Sequence, residues 1–87
     1  MSEYKVEVRV VPRRGLLDPQ GKAVAGALKS LGFAAIEDVH VGRIIMLTLA
    51  ADSVEAAEAA AVLMCRQLLA NPVTEDFDVR VLELAVQ

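Results

Sequence analysis

Arg43-Ile44-Ile45-Met46-Leu47-Thr48-Leu49-Ala50 carries a charge at its first residue and a single hydroxyl, at Thr48, inside an otherwise aliphatic run. A membrane span needs about 18 apolar residues, so this run has the length of a core element. Its β-branched and large aliphatic residues favour a strand. Nearly every position is apolar, so the strand is apolar on both faces. One face can take helices from the same chain. The other needs a cover that 87 residues have no further elements to supply, which points to a partner subunit.

Upstream, Ala35 to Val41 reads as a second strand, and Gly42-Arg43 as a tight turn. Residues 35–50 are therefore expected to form a hairpin. Before it, Asp18-Pro19 opens a helix over about 19–31, with Asp18 as N-cap and Pro19 at the first helical position, where no N–H is needed. Val24, Ala27, Leu28 and Leu31 give it one apolar stripe, and Gly32 is its stop. Gly26 is read as a point of close packing on a sheet. Further upstream, Tyr4, Val6, Val8 and Val10 alternate with Lys5, Glu7 and Arg9, which predicts a strand with one wet face. Pro12 ends it, and Arg13-Arg14-Gly15 is a loop.

Downstream, Asp52-Ser53 starts a second helix over about 53–70, with Glu55 as capping-box partner of Asp52. Val54, Ala57, Ala61, Met64, Cys65 and Leu68 are its expected core face. Asn71-Pro72 breaks it, and Phe77 to Leu84 is the last strand. The order βαββαβ predicts an α+β fold. It has a four-stranded antiparallel sheet with two helices on one face, its second face buried by oligomerisation, and residues 1–87 form one domain.

Composition narrows the function. A compact monomer of 9.3 kDa exposes roughly 5,000 Å² and buries only about 63% of its unfolded surface. Yet 55% of residues are hydrophobic, so surface is expected to be buried against another chain. Nine basic against twelve acidic residues and a net charge of −3 disfavour nucleic acid, whose phosphates demand a basic face. No run is long enough to span a membrane, Met1-Ser2-Glu3-Tyr4-Lys5 carries no apolar signal region, and the one cysteine fits a reducing, cytoplasmic setting.

No catalytic set is complete. His40 lacks a nucleophile to pair with and reads as a strand-end residue; Cys65 sits on the apolar stripe and reads as a small buried hydrophobe. Arg13-Arg14 reads as a solvated loop, with docking to a partner's carboxylates as its functional version. Glu75-Asp76-x-Asp78 reads as a solvated strand entry or acidic patch before it reads as a cation site. No catalytic, cofactor-binding or metal-ligating residue is expected.

Leu17-Asp18-Pro19-Gln20-Gly21, Leu31-Gly32-Phe33, Val39-x-Val41-Gly42-Arg43 and Leu68-Leu69-Ala70-Asn71-Pro72-Val73-x-Glu75-Asp76-Phe77 together resemble the PurS family, the small subunit of phosphoribosylformylglycinamidine (FGAM) synthase. Arg43 stands where lysine is usual, and Thr74 where isoleucine is common. The resemblance implies a non-catalytic subunit of an ATP- and glutamine-dependent amidoligase of de novo purine (IMP) synthesis. Such a subunit bridges the glutaminase PurQ and the large synthetase PurL as a dimer or dimer of dimers and assists ammonia transfer. ATP and Mg are then expected on the large subunit, with none bound here. The resemblance falls most strongly on turns. That makes Asp18, Pro19, Gln20, Gly21, Gly42, Arg43, Asn71, Pro72, Glu75 and Asp76 the candidate partner-interface residues. The alternative is a free-standing homodimeric regulatory module holding a small metabolite at its seam, beside Gly15 or Gly42.

Overall fold

The computed structural model describes residues 1–84; residues 85–87 of the expected domain lie outside the described residues. The element order is β1 (Ser2–Pro12), α1 (Pro19–Ser30), β2 (Arg43–Ala51), α2 (Val54–Met64), a π-helical turn (Cys65–Leu69) and β3 (Glu75–Leu84). The α+β class holds, with two helices and an antiparallel sheet. The described sheet has three strands in the order β2-β1-β3, not four.

The missing strand is 35–41, and with it the 35–50 hairpin. A two-residue hairpin turn needs a left-handed backbone at one or both central positions. Gly15 and Gly32 are the residues with positive φ among those described, so the chain does not reverse at Gly42-Arg43. Gly42 instead presses against the Val10 carbonyl, where a Cβ would collide. The upstream segment finds its hydrogen bonds elsewhere: Ile36 N–H donates to the Phe33 carbonyl and Val41 N–H to the Asp18 carboxylate. The order of elements is thus βαβαβ.

β1 is the central strand because its alternation suits burial on one side. Tyr4, Val6, Val8 and Val10 are buried, while Lys5 and Arg9 are exposed. Register places Leu49, Leu47 and Ile45 of β2 beside Tyr4, Val6 and Val8, and Val81, Val79 and Phe77 of β3 beside Val6, Val8 and Val10. These flanking residues are half-buried and join the core from both edges. The opposite face carries Lys5, Glu7, Arg9, Asp78 and Arg80, with Ile44 and Met46 exposed among them. The strand that reads as apolar on both faces is therefore an edge strand with one open apolar row.

α2 covers the inner face. Ala57, Ala61 and Cys65 are fully buried, at i, i+4 and i+8, and their small side chains let the helix lie close to β1. Ser53, not Asp52, caps it, accepting from Ala56 N–H at 3.1 Å. Val54, Met64 and Leu68 of the expected core face are exposed. Val54 and Met64 flank the buried Ala57-Ala61-Cys65 row, and Leu68 is turned out by the π turn, where Ala70 N–H reaches back five residues to the Cys65 carbonyl. This inserts one residue into the helical phase. Leu69 and Ala70 rotate into the core, and Leu68 rotates out.

α1 is elsewhere. It has at most marginal contact with any strand, and the molecule is drawn out to 51 × 29 × 15 Å. Its ends follow the sequence: Pro19 opens the first turn, Asp18 caps it, and Gly32 closes it with φ +101°. A Cβ at Gly26 would meet open space. Gly21 is the glycine in close contact, its Cα against the Val39 carbonyl where a Cβ would clash, so the glycine packs α1 on the returning 36–42 segment and not on the sheet.

Candidate functional site

The expected interface residues gather at one end of the sheet, where β1 ends and β2 and β3 begin. Arg43 is paired with Val10, and Glu75 with Pro12, so both side chains lie on the inner face on either side of the central strand. They meet across it. Arg43 Nη1 donates to Glu75 Oε2 at 2.7 Å and Nη2 to Oε1 at 3.1 Å, a two-pronged pair. Arg43 Nη2 also reaches the Leu69 carbonyl at 2.5 Å, tying both edge strands to the end of the second helix. Glu75 in turn accepts from Asn71 N–H at 2.8 Å. These contacts hold the Glu75 carboxyl below its ordinary value, Arg43 first and Asn71 second, and raise Arg43.

Asn71 folds its own turn, its Oδ1 accepting from Val73 N–H at 2.9 Å, which explains why Asn-Pro follows the helix. Arg13 fastens this turn from the other side. Its Nη2 donates to the Pro72 carbonyl at 2.6 Å, and its Nε lies 3.3 Å from Asp76 Oδ1. The Arg13 loop thus binds its own chain's carboxylate. Glu75, Asp76 and Asp78 do not converge: Glu75 turns to Arg43, Asp76 to Arg13, and Asp78 lies opposite Arg9.

Asp18 organises the neighbouring cluster. One carboxylate oxygen caps α1 through Gly21 N–H at 3.1 Å, the other accepts from Val41 N–H at 2.9 Å. Asp18 is therefore both helix cap and anchor of the 36–42 segment, and the Val41 bond, then the Gly21 bond, hold its carboxyl below the ordinary value. His40 Nδ1 sits 3.6 Å from Asp18, and its Nε2 2.9 Å from Asp38. Pro19 and Gln20 are exposed on the first turn. A cleft lined by Pro12, Leu16, Leu17, Asp18, Thr74 and Glu75 joins the two clusters.

The structure brings the candidate turns close together and adds Arg13, His40 and the Leu69 carbonyl, which sequence reasoning had not placed in the constellation. Arg13 lies three residues past the last alternating valine, Val10, and that position alone could have flagged it. The only thiol, Cys65, is buried, and burial pushes its pKa up, away from thiolate chemistry. No group of three or more His, Cys, Asp or Glu that could hold a metal ion occurs among the described residues.

Fold and site define a class, a small α+β interaction module whose polar side chains are engaged in shaping its own loops. The PurS family profile, described as phosphoribosylformylglycinamidine (FGAM) synthase, matches residues 5–83. The FGAM synthase subunit PurS of Methanothermobacter thermautotrophicus is 38% identical over 94% of this chain and 96% of that protein. Bacillus subtilis PurS superposes with a TM-score of 0.82 at 40% identity, covering 92% of this chain and 99% of its own. A chain of the solved structure of PurLQS from Thermotoga maritima superposes with a TM-score of 0.85 at 29% identity, covering 94% and 100%. The chain belongs to the PurS family, the small subunits of FGAM synthase.

Proposed function

We propose that this chain, as a single domain, is the non-catalytic bridge of a cytoplasmic FGAM synthase. It joins a PurQ-type glutaminase to a PurL-type synthetase, acts as a homodimer or dimer of dimers, and helps ammonia pass between them. The observation that supports this reading best is the match to PurS chains along nearly the whole length. The reaction is the ATP- and glutamine-dependent conversion of formylglycinamide ribonucleotide to formylglycinamidine ribonucleotide. On the large subunit, with ATP and Mg, the formylglycinamide oxygen is activated as a phosphate ester, and ammonia displaces the phosphate. Ammonia released into neutral water is protonated and ceases to be a nucleophile, so an enclosed route from the glutaminase preserves it.

Docking in this reading uses the sheet-end surface. Arg43 and Asp76 remain about half or more exposed, so each offers charge to a partner while its loop is held rigid. The open row of Ile44 and Met46 is the part of the second sheet face left for an oligomer to cover. The metabolite-binding alternative is not favoured. The Val10 carbonyl and Val11 stand where a Cβ on Gly42 would be, and the match to PurS chains along nearly the whole length supports the subunit reading instead.

The test is product formation with glutamine or with ammonium as nitrogen source, with and without this chain. Glutamine-dependent synthesis requires it, whereas ammonium-dependent synthesis needs it less. Unchanged glutamine-dependent turnover without the chain overturns the assignment. An equal fall with both nitrogen sources overturns the bridge and makes the chain a shaper of the synthetase site.

A further inference from the structure

The 71–74 turn is fixed more firmly than a surface connection needs. Arg13 donates to it twice, from its backbone N–H to the Thr74 carbonyl at 2.9 Å and from Nη2 to the Pro72 carbonyl at 2.6 Å. Within the turn, Asn71 Oδ1 accepts from Val73 N–H at 2.9 Å, and Glu75 N–H donates to the Asn71 carbonyl at 2.9 Å. Asn71 N–H is taken by Glu75 Oε1 at 2.8 Å. The backbone is thereby held from both ends, yet residues 71–74 are all exposed, Val73 at 73%.

The stiffness extends to the side chains at the tip. Pro72 is a closed ring and Val73 is branched at Cβ, so neither has much rotamer freedom to lose on burial. Ordering a loop and its side chains is one of the costs of association, and here it is met when the chain itself folds. A rigid apolar tip of this kind is suited to seat in a socket on another protein.

The cleft beside the tip indicates the chemistry of that protein. It has a volume of about 600 Å³ and is lined by Arg13, Arg66, Pro72, Glu75, Asp76 and Phe77. Its carboxylates are engaged, Glu75 by Arg43 and Asp76 by Arg13. Arg66 is exposed and has no ion-pair partner among the described residues. A guanidinium left alone beside an apolar tip fits a carboxylate brought by the occupant.

We propose that Pro72, Val73 and Arg66 form a docking knob for the large synthetase subunit, received by an apolar socket with an acidic side chain on its rim. The synthetase is favoured over the glutaminase because sockets form preferentially between domains, and a large subunit offers more such seams than a small one. The inference rests on the bridge reading above and says which part of the sheet-end surface meets which partner.

Two measurements on the reconstituted three-subunit complex test it. The first is the concentration of this chain that gives half-maximal glutamine-dependent synthesis. Val73→Asp and Arg66→Glu each raise it by about 10-fold or more. The plateau rate and the circular dichroism of the isolated chain stay unchanged, because both side chains are exposed. The second uses Val73→Cys carrying a thiol-linked photocrosslinker. Cys65 is the only native cysteine and is buried, so labelling is confined to the tip. Irradiation of the assembled complex yields an adduct with the mass of this chain plus the synthetase. Glutamine-dependent synthesis that is the same with and without the wild-type chain overturns the bridge reading and the knob with it. Where the wild-type chain supports synthesis, an unshifted half-maximal concentration in either variant overturns the knob alone, and so does an adduct confined to the glutaminase or to a second copy of this chain.

Discussion

The two helices start from similar sequence signals and end in opposite situations. Both have a polar N-cap whose side chain accepts from the backbone N–H three residues on, Gly21 for Asp18 and Ala56 for Ser53. α2 then buries Ala57 and Ala61 against the sheet, whereas α1 buries only Gly21. Capping and periodicity specify that a helix forms; they do not specify what it lies on. That is decided at the ends: α2 is fastened by the π turn and the Leu69 carbonyl, while α1 is fastened by Asp18 and Gly21 to the loop segment and points away from the sheet.

The sharpest way to break the contrast is one substitution made in both helices. Ala61→Leu forces a larger side chain into a fully buried site against β1 and lowers stability by about 1–3 kcal/mol. Ala27→Leu, on the exposed α1 face, changes monomer stability by less than about 0.5 kcal/mol. Urea unfolding of the two variants under dissociating conditions measures the difference; equal losses would show that α1 is packed as α2 is.

Arg43→Ala comes next. It strips the bridge between the edge strands and leaves Glu75 with Asn71 N–H, at a cost of about 1–2 kcal/mol. Arg43→Lys recovers only part of this, because an ammonium cannot form the two-pronged contact. A double-mutant cycle with Glu75→Gln isolates the pair, and additivity of the two losses would show that the clasp holds nothing.

Asp18→Ala has a smaller and more local effect. It removes the α1 cap and the Val41 anchor together, lowering Tm by roughly 4–8 °C. Amide exchange accelerates at Gly21 and Val41 and not at Ala56. The smallest effect is that of pH. Glu75 and Asp18 have carboxyls held below their ordinary values of 4.5 and 3.8. For a depressed pKa the stabilisation is complete above the unfolded value and is lost as pH falls through the folded one. Tm is therefore flat at neutral pH and declines below about pH 4.5, and Arg43→Ala blunts the Glu75 part of that decline.

The sequence made β1, both helices and the last strand legible, because each is written in local terms: alternation in Tyr4–Val10, a cap at Asp18, Pro19 at the first turn, Gly32 at the stop. It misled where a local pattern was completed by something distant. Residues 35–41 carry strand-like valines, but their backbone is held by the Asp18 carboxylate from 23 positions away. Leu68 has the spacing of a core residue, and a one-residue change of helical phase sends Leu69 inward in its place. The candidate turns were visible through their Pro, Gly and Asn residues. The Arg43–Glu75 contact was not, because two charged residues 32 positions apart announce no pairing.

The strand order β2-β1-β3 bears on how an uncovered copy behaves. The most aliphatic strand lies at the rim, with Ile44 and Met46 bare beside a backbone edge that no other described strand pairs. An open, apolar rim of this kind is a template for indiscriminate strand addition. A copy left uncovered at that rim is therefore the form most open to strand-to-strand aggregation.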